Sequence, residues 1–416
     1  MRTIRELEED ELEELLRITA EAFPGMKVGG PGEREAMLER LRRVRREALG
    51  VFYGVFEAGR MVGVMRNYDF TMKLHETRTL VGGVGGVAVD LRHKKERVAA
   101  DMIAHFLRVY RAKGAALTAL YPFRPDFYRR MGFGYGVKLN RYSFRPDALP
   151  AGRPRAGVEF LSAADKDDVR ACYDRFLAQT NGLLELLPHA LDSLFSDPAQ
   201  RVVGYRREGV LRGYLLFRFE PAREDNWLAN NLSLRQLVYE DPAALTALLV
   251  FLRTQADQVE RIVYETQDDS FHYLLTDPRN GSGNLLAGLW HETNTQGAGI
   301  MYRVIDVPRL FQVLREHDFA GVSTTLGVTL SDSFLPDNAG RYRLRVEDGR
   351  AALVEDGPAA VEIGMDIAEF SSLIVGAVDF DRLYAFGLAT IDDARAVPLV
   401  TRLFHARQRP WCLTHF

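Results

Sequence analysis

Residues 82–103 read GGVGGVAVDLRHKKERVAADMI. They open as the end of a long strand, TRTLVGGVGGVAVDL, which closes near Val89. RHKKER follows as a basic loop. An amphipathic helix, KERVAADMIAHFLRVYRAKG, begins near Val98 and reaches Gly114 as its C-terminal cap. Backbone N–H groups at a helix N-terminus carry partial positive charge, and flanking cations add to it. Arg92, Lys94, Lys95 and Arg97 therefore mark an anion site suited to phosphates, with a solvated basic turn as the plain alternative. Gly85 and Gly86, just before Val87, offer a bulge that splays the strand from its neighbour.

Working outward, EEDELEELLRITAEAF and PGEREAMLERLRRVRREAL read as helices, the second with Pro31 near its start. VFYGVFEAGRMVGVMRNYDF reads as two strands joined at Ala58-Gly59. Beyond Gly114, AALTALYPF is a buried strand, RPDFYRRMGF a short helix and GYGVKLNRYSF a last strand. The order α-α-β-β-β-α-β-α-β is that of a mixed α/β domain. RPDALPAGRPRAG (145–157) reads as a linker.

The next stretch repeats the first. YGVFEAGRMVGV (53–64) aligns with VGYRREGVLRGY (203–214), with Gly54, Gly59 and Gly63 matching Gly204, Gly209 and Gly213. A strand (LSLRQLVYE), a helix (PAALTALLVFLRTQ), a strand (RIVYETQ) and a short helix (DDSFHYLLTD) then follow in the same order. The chain thus carries a duplicated domain. After residue 298 the pattern changes to a strand and helix, MYRVIDVPRLFQVL, then antiparallel-type strands (LGVTLSDS, GRYRLRVEDGRAALVED, AVEIGMDIAEF) and a late helix, ARAVPLVTRLF. The expected domains are 1–148, 149–297 and 298–416, the last of α+β type.

Bulk properties bound the function. The chain has 416 residues, 47% hydrophobic and 27% charged, with a net charge of −3. No global field draws it to nucleic acid or to an anionic membrane. Cys172 and Cys412 form neither a disulfide framework nor a zinc spacing, and no metal is expected. The N-terminus, MRTIRELEEDELEELL, has no apolar core of a signal peptide, and no window approaches the roughly 20 apolar residues of a membrane span. A cytoplasmic location is expected.

A hairpin, a long strand, a basic loop and a helix in this order resemble the core of the GCN5-related N-acetyltransferase fold. The resemblance implies that the strand, through Val87, Ala88 and Val89, pairs with the pantetheine arm of acetyl-CoA. Its pyrophosphate would then lie on Lys94, Lys95, Glu96, Arg97, Val98, Ala99 and Ala100. The family pattern Gln/Arg-x-x-Gly-x-Gly/Ala falls on Lys94–Ala99. Ala99 fits it and Lys94 is a basic stand-in, but Arg97 stands where the family prefers glycine. The second copy reads YEDPAALTALL (239–249) at the matching place, with Glu240 and Asp241 instead of cations. One acetyl-CoA site, in the first copy, is expected. Tyr128 lies where the family often has a tyrosine that protonates the departing CoA thiolate. A phenol of pKa about 10 suits a thiol of about 8.5. His272, near the matching position of the second copy, is given no role.

The full length resembles the Eis (enhanced intracellular survival) family of bacterial N-acetyltransferases. The order of elements carries the likeness, with GIMYRVIDV (299–307), YRLRVEDG (342–349) and the aromatic end RPWCLTHF (409–416). Those proteins combine an active acetyltransferase domain, an inactive copy and a domain like sterol carrier protein. The implied fold class is α/β and α+β: two tandem GCN5-related acetyltransferase-like domains followed by a sterol-carrier-like α+β domain. The implied activity is acetyl-CoA-dependent N-acetylation of primary amines on a polycationic acceptor, either aminoglycoside-like or a lysine side chain. The C-terminal carboxylate, here on Phe416, is the implied base, delivered by the third domain into the first. An alkylamine attacks a thioester only as the free base, so a carboxylate that accepts its proton is chemically apt. Apolar Trp411 and Phe416 would anchor the tail and raise that carboxyl's pKa by burial, with His415 as a rival base. A backbone N–H of Val87 or Val89 is the expected oxyanion donor. Phe23, Asp69 and Glu185 are candidates for the amine pocket. The resemblance also implies a homo-oligomer, a hexamer in relatives. Two alternatives stand beside it: a non-catalytic acyl-CoA or lipid binder on the same scaffold, and transfer of a longer acyl chain.

Overall fold

The computed structural model describes residues 2–416 apart from 27, 154, 155 and 356. The chain forms two compact units. One holds Met1–Gly136, Ile300–Pro410 and His415–Phe416; the other holds Val137–Gly299 and Trp411–Thr414.

The first segment gives β1 (Arg2–Glu6), α1 (Leu12–Ala22), α2 (Pro31–Arg46), β2 (Val51–Glu57), β3 (Arg60–Leu74), β4 (Thr77–Val89), α3 (Val98–Ala112), β5 (Leu117–Leu120), α4 (Pro125–Arg129) and β6 (Gly134–Tyr135). The middle segment gives β7 (Leu139–Phe144), β8 (Val158–Phe160), α5 (Lys166–Gln179), α6 (Pro188–Ser196), β9 (Gln200–Arg207), β10 (Val210–Pro221), β11 (Asn230–Tyr239), α7 (Pro242–Arg253), β12 (Val259–Thr266) and β13 (Asn294–Gly297). The last gives β14 (Met301–Val304), α8 (Val307–Val313), β15 (Thr324–Ser331), β16 (Gly340–Glu347), β17 (Arg350–Val354), β18 (Val361–Asp366), α9 (Ile367–Ile374), α10 (Phe380–Ala385), β19 (Ala389–Ile391) and α11 (Val397–Phe404).

The first unit has a seven-stranded sheet ordered β1-β2-β3-β4-β5-β14-β6 and a five-stranded sheet ordered β17-β16-β15-β18-β19. The second unit has one seven-stranded sheet, β13-β7-β12-β11-β10-β9-β8. α3 covers β3 and β4 with buried Val98, Met102, Ile103, Phe106, Leu107 and Tyr110. Among the described residues no helix is long and apolar enough to cross a membrane.

The expected last strand of the first domain divides. Gly134–Tyr135 stays in the first sheet, while Leu139–Phe144 pairs with β12 and β13 in the second. Its place beside β5 is filled by β14, in register Met301↔Leu120 to Val304↔Leu117. The unit boundaries in this part of the chain therefore fall at 136/137 and 299/300. Burial explains the exchange: all four residues of β14 are buried, as a strand covered on both faces requires. The presumed linker is also partly core, since Ala148 and Leu149 are buried in the second unit's cluster; its residues 154 and 155 lie outside the described residues. In the third sheet β15 pairs antiparallel with β16 but parallel with β18, so that domain is not wholly antiparallel.

The duplication is visible in what the matched glycines do. Gly59 and Gly209 take the left-handed turn conformation at φ +78° and +77°. Gly63 lets Val98 and Met102 of α3 close on β3, and Gly213 lets Ala244 and Leu248 of α7 close on β10.

Candidate active site

β4 organises the site. Its parallel pairing with β5 runs from Val81↔Leu117 to Val84↔Leu120 and then stops. Among the described residues, 85–89 have no strand partner on that edge, so their backbone groups are left for a ligand. On the other edge the register with β3 shifts between Val64 and Arg66, which opposes Met65 to both Gly86 and Val87. This is a bulge, with Gly86 at φ +59°. It sits where the two glycines led it to be expected, and it coincides with the end of the β5 pairing.

The side chains flanking β4 explain the glycines before the bulge. A Cβ on Gly82 would enter the Tyr110 ring of α3. On the opposite face, Gly83 and Gly85 make room for aromatic rings and for the C-terminal residue. A Cβ on Gly83 would lie 3.0 Å from Cε2 of Phe416, and one on Gly85 would lie 3.1 Å from its carboxyl carbon. The Phe416 ring is held by Phe70 (4.8 Å between centroids), Tyr121 (5.2 Å) and Tyr68 (5.5 Å). His415 is exposed and lies against Tyr121 at 5.8 Å. Trp411 is not part of this cage. It packs on Phe176 at 6.3 Å in the second unit, where its N–H donates to Asn181 O at 2.8 Å. The Cys412 carbonyl accepts from Gln267 there at 3.1 Å. Burial by Trp411 therefore plays no part at the Phe416 carboxyl.

After Val89 the chain turns on Asp90, which is fully buried. Asp90 accepts from Arg17 at 2.9 Å, from Arg92 Nη2 at 2.8 Å and from Arg92 N at 2.9 Å. Bonds from Arg92, against a burial effect of opposite sign, and then from Arg17 hold its carboxyl far below the usual range. Arg92 is thus committed to Asp90. Lys94, Lys95 and Arg97 are exposed and bear no side-chain bond or ion pair among the described residues. Lys95 and Arg97 have φ +69° and +66°, and Arg97 is the N-cap of α3. The backbone at Arg97 therefore takes the left-handed conformation that glycine adopts freely, at a cost of about 1 kcal/mol for a residue with a Cβ. Glu96 is turned away to Arg2, whose guanidinium bonds its carbonyl (2.6 Å) and carboxylate (3.2 Å). Val98 is buried, and Ala99 and Ala100 half-buried, in the first turn of α3.

The second copy fills the matching place itself. Asp241 accepts from Ala244 N at 2.9 Å at the start of α7, and Arg207 neutralises it at 2.7 Å. Glu240 is bound by Arg175 and Arg212.

Tyr128 lies on α4, is 6% exposed and packs against Phe127 and Phe133. Burial pushes its phenol up to about 12. Its hydroxyl makes no hydrogen bond among the described residues. Phe23 meets the exposed Phe123, just past β5, edge to face at 6.2 Å. Asp69 turns away from the Phe416 cage. It lies between Tyr68 and Phe70 on β3, so alternation turns it to the other face, where it accepts from Tyr110 at 2.6 Å and Lys113 at 2.9 Å. Burial works to raise its pKa, and the bonds from Lys113 and Tyr110 outweigh that and lower it. Glu185 belongs to the second unit. Arg129, Arg303, Asp332 and Glu369, which surround α4, carried no signal in the sequence. Glu57, His93 and Glu96 bring potential ligand atoms within 4.8 Å of one another, but Arg2 already bridges the two carboxylates.

Comparison with known families agrees with this architecture. Residues 3–136 and 189–304 each match an acetyltransferase (GNAT) domain, and residues 310–413 match a sterol carrier protein domain. An uncharacterized N-acetyltransferase of Streptomyces coelicolor is 27% identical over 408 residues, covering 94% of each chain. Two solved structures cover 100% of both chains: a GCN5-related N-acetyltransferase from Anabaena variabilis (TM-score 0.82, 17% identity) and Eis1 from Mycobacterium abscessus (TM-score 0.76, 22% identity). At these identities the likeness is one of fold.

Proposed function

We propose, for a chain that belongs to the GCN5-related N-acetyltransferases with two such domains and a sterol carrier protein domain, that its first copy transfers acetyl from acetyl-CoA to a primary amine. The observation that carries this reading is β4, which leaves β5 at Val84, bulges at Gly86 and leads to three uncommitted cations at the start of α3. That arrangement suits a long, polar ligand ending in phosphates. The open edge of 85–89 offers hydrogen bonds to an amide-bearing arm, while Lys94, Lys95 and Arg97 with the first turn of α3 take the pyrophosphate. In the second copy, the Asp241 carboxylate occupies the corresponding helix start and would repel phosphate, which supports a single site.

Acetyl-CoA supplies the thioester: the amine nitrogen bonds to its carbonyl carbon, and the C–S bond breaks to release the thiol. The carboxylate of Phe416, held against Gly85 by its aromatic cage, accepts the amine's proton. Tyr128, kept protonated by burial, donates its proton to the leaving sulfur. The N–H of Val87 or Val89 receives the oxyanion. The acceptor proposed is a polycationic amine, aminoglycoside-like or a lysine side chain, with Phe23 at its entry and Asp69 left out.

The test is thiol release from acetyl-CoA with an aminoglycoside, a polyamine and a lysine peptide, alongside calorimetric binding of acetyl-CoA. Turnover that falls steeply but measurably in Tyr128→Phe and on deletion of Phe416, with binding kept, supports the assignment. Absence of acetyl-CoA binding overturns it.

A further inference from the structure

α4 is a helix of 5 residues, too short to hold its own geometry. The hydroxyl of Tyr128 has no bond to orient it. Something else must fix this ring, and the structure supplies it from the last segment of the chain. Met131 and Phe133 both donate to the Tyr128 carbonyl, at 2.9 and 3.2 Å, closing a turn after α4. The Met131 carbonyl in turn accepts from Arg303 Nη1 of β14. Arg303 is fully buried and its Nη2 bonds both oxygens of buried Asp332, at 2.8 and 2.6 Å. Asp332 also accepts from the N–H groups of Phe334 and Leu335 at 3.2 and 2.8 Å. These bonds satisfy the buried carboxylate, while Arg303 Nε is left without a partner among the described residues.

Four further contacts converge on the same turn. Arg129, next to Tyr128, forms an ion pair with Glu369 of α9, which is 4% exposed. The guanidinium of Arg129 also sits 5.5 Å from the Tyr135 ring centroid. Gly132 (φ +77°) leaves the space that Arg303 fills, and α9 presses on Gly134, where a Cβ would meet Ala368 and Ser372.

We propose that β14 and the sterol carrier protein segment that follows it form a positioning frame for the acid of the first copy. It acts through two ion pairs, Arg303–Asp332 and Arg129–Glu369, that hold the turn carrying Tyr128. The inference rests on the reading of Tyr128 as acid. It gives the third domain a part in catalysis separate from any ligand of its own.

Removing Asp332 would leave a buried guanidinium unpaired and can abolish folding, so the test uses the outer pair. Glu369→Gln is made in the wild type and in Tyr128→Phe, and Arg129→Lys serves as the conservative variant. In the wild-type background, Glu369→Gln is expected to lower kcat about tenfold, with the amine KM and the acetyl-CoA Kd within about twofold. The alkaline limb of the kcat profile is expected to move to lower pH, because a loosened, hydrated phenol returns toward about 10. Arg129→Lys keeps the charge and is expected to hold kcat within about threefold. In the Tyr128→Phe background Glu369→Gln is expected to cost less than about twofold more, since residues acting through one group are not additive. An equal tenfold loss in both backgrounds overturns the proposal, and so does a wild-type rate and pH limb in Glu369→Gln. A wild-type kcat in Tyr128→Phe alone refutes the acid reading instead. If Glu369→Gln does not fold, the same comparison is made with Arg129→Met.

Discussion

His75 gives a pH dependence of stability that can be worked from the structure. It sits at the turn between β3 and β4, where its Nε2 bonds the Ile374 carbonyl at 2.8 Å. Its ring stacks on His317 at 4.2 Å, and His317 Nδ1 bonds Glu76. Burial first, then the neighbouring His317, press its pKa down from 6.5 to about 4, with Lys73 adding to the effect and Glu76 opposing it. The folded chain therefore holds this imidazole neutral between those values while the unfolded chain protonates it. Stability is complete above 6.5 and declines as pH falls toward 4, where the unfolded state binds the extra proton. The full difference, 2.5 pKa units, is worth about 3 kcal/mol, of which about 2 kcal/mol has gone by pH 5. For a unit of this size that lowers Tm by about 4–8 °C. The assay is calorimetric melting from pH 7.5 to 5, comparing the wild type with His75→Phe, which keeps a stacked ring and removes the titration. His75→Phe melts lower at neutral pH, having lost the bond to Ile374, but its Tm falls less steeply with acid. Parallel Tm-against-pH curves for the two proteins would refute the reasoning.

Three more perturbations probe the site. Gly85→Val places two methyl groups where the Phe416 carboxyl lies, so thiol release is expected to fall by about 100-fold, with no further loss when Phe416 is also deleted. Arg97→Gly relieves about 1 kcal/mol of left-handed strain but returns a similar amount to the unfolded chain, so Tm stays within about 2 °C. The same variant removes a phosphate partner, and calorimetry is expected to show about fivefold weaker acetyl-CoA binding with a shallower salt dependence. Asp69→Asn removes the charge paired with Lys113 and one of the two acceptor oxygens, which lowers Tm, while the KM for the amine stays within about twofold because the side chain turns away from the Phe416 cage.

What the sequence discloses here is set by how local each feature is. The strand, basic loop and helix of residues 82–103 are contiguous, and their period, glycines and charges suffice to place the bulge and the basic loop, though not to show that Asp90 takes Arg92 out of its four cations. The duplication is legible for the same reason, because two of the three matched pairs answer a local demand: a left-handed turn at Gly59 and Gly209, and a helix lying directly over a strand at Gly63 and Gly213. The face that Asp69 takes was also legible. In NYDF the tyrosine and phenylalanine that cage Phe416 bracket the aspartate, and period-2 alternation alone turns it to the α3 face. The strand exchange had no such signal. VKLNRYSF and MYRV are both good strands, and which sheet each completes depends on burial between segments far apart in the chain. The same limit hides the frame around Tyr128. Arg303, Asp332 and Glu369 look like ordinary charged residues until the fold removes them from water. Once buried they hold their positions only if paired, so these unmarked residues are the ones whose geometry the catalytic turn can depend on. The tail combines both cases: its aromatic residues announce that it docks, yet only the packing assigns Trp411 to one unit and Phe416 to the cage beside Gly85 in the other.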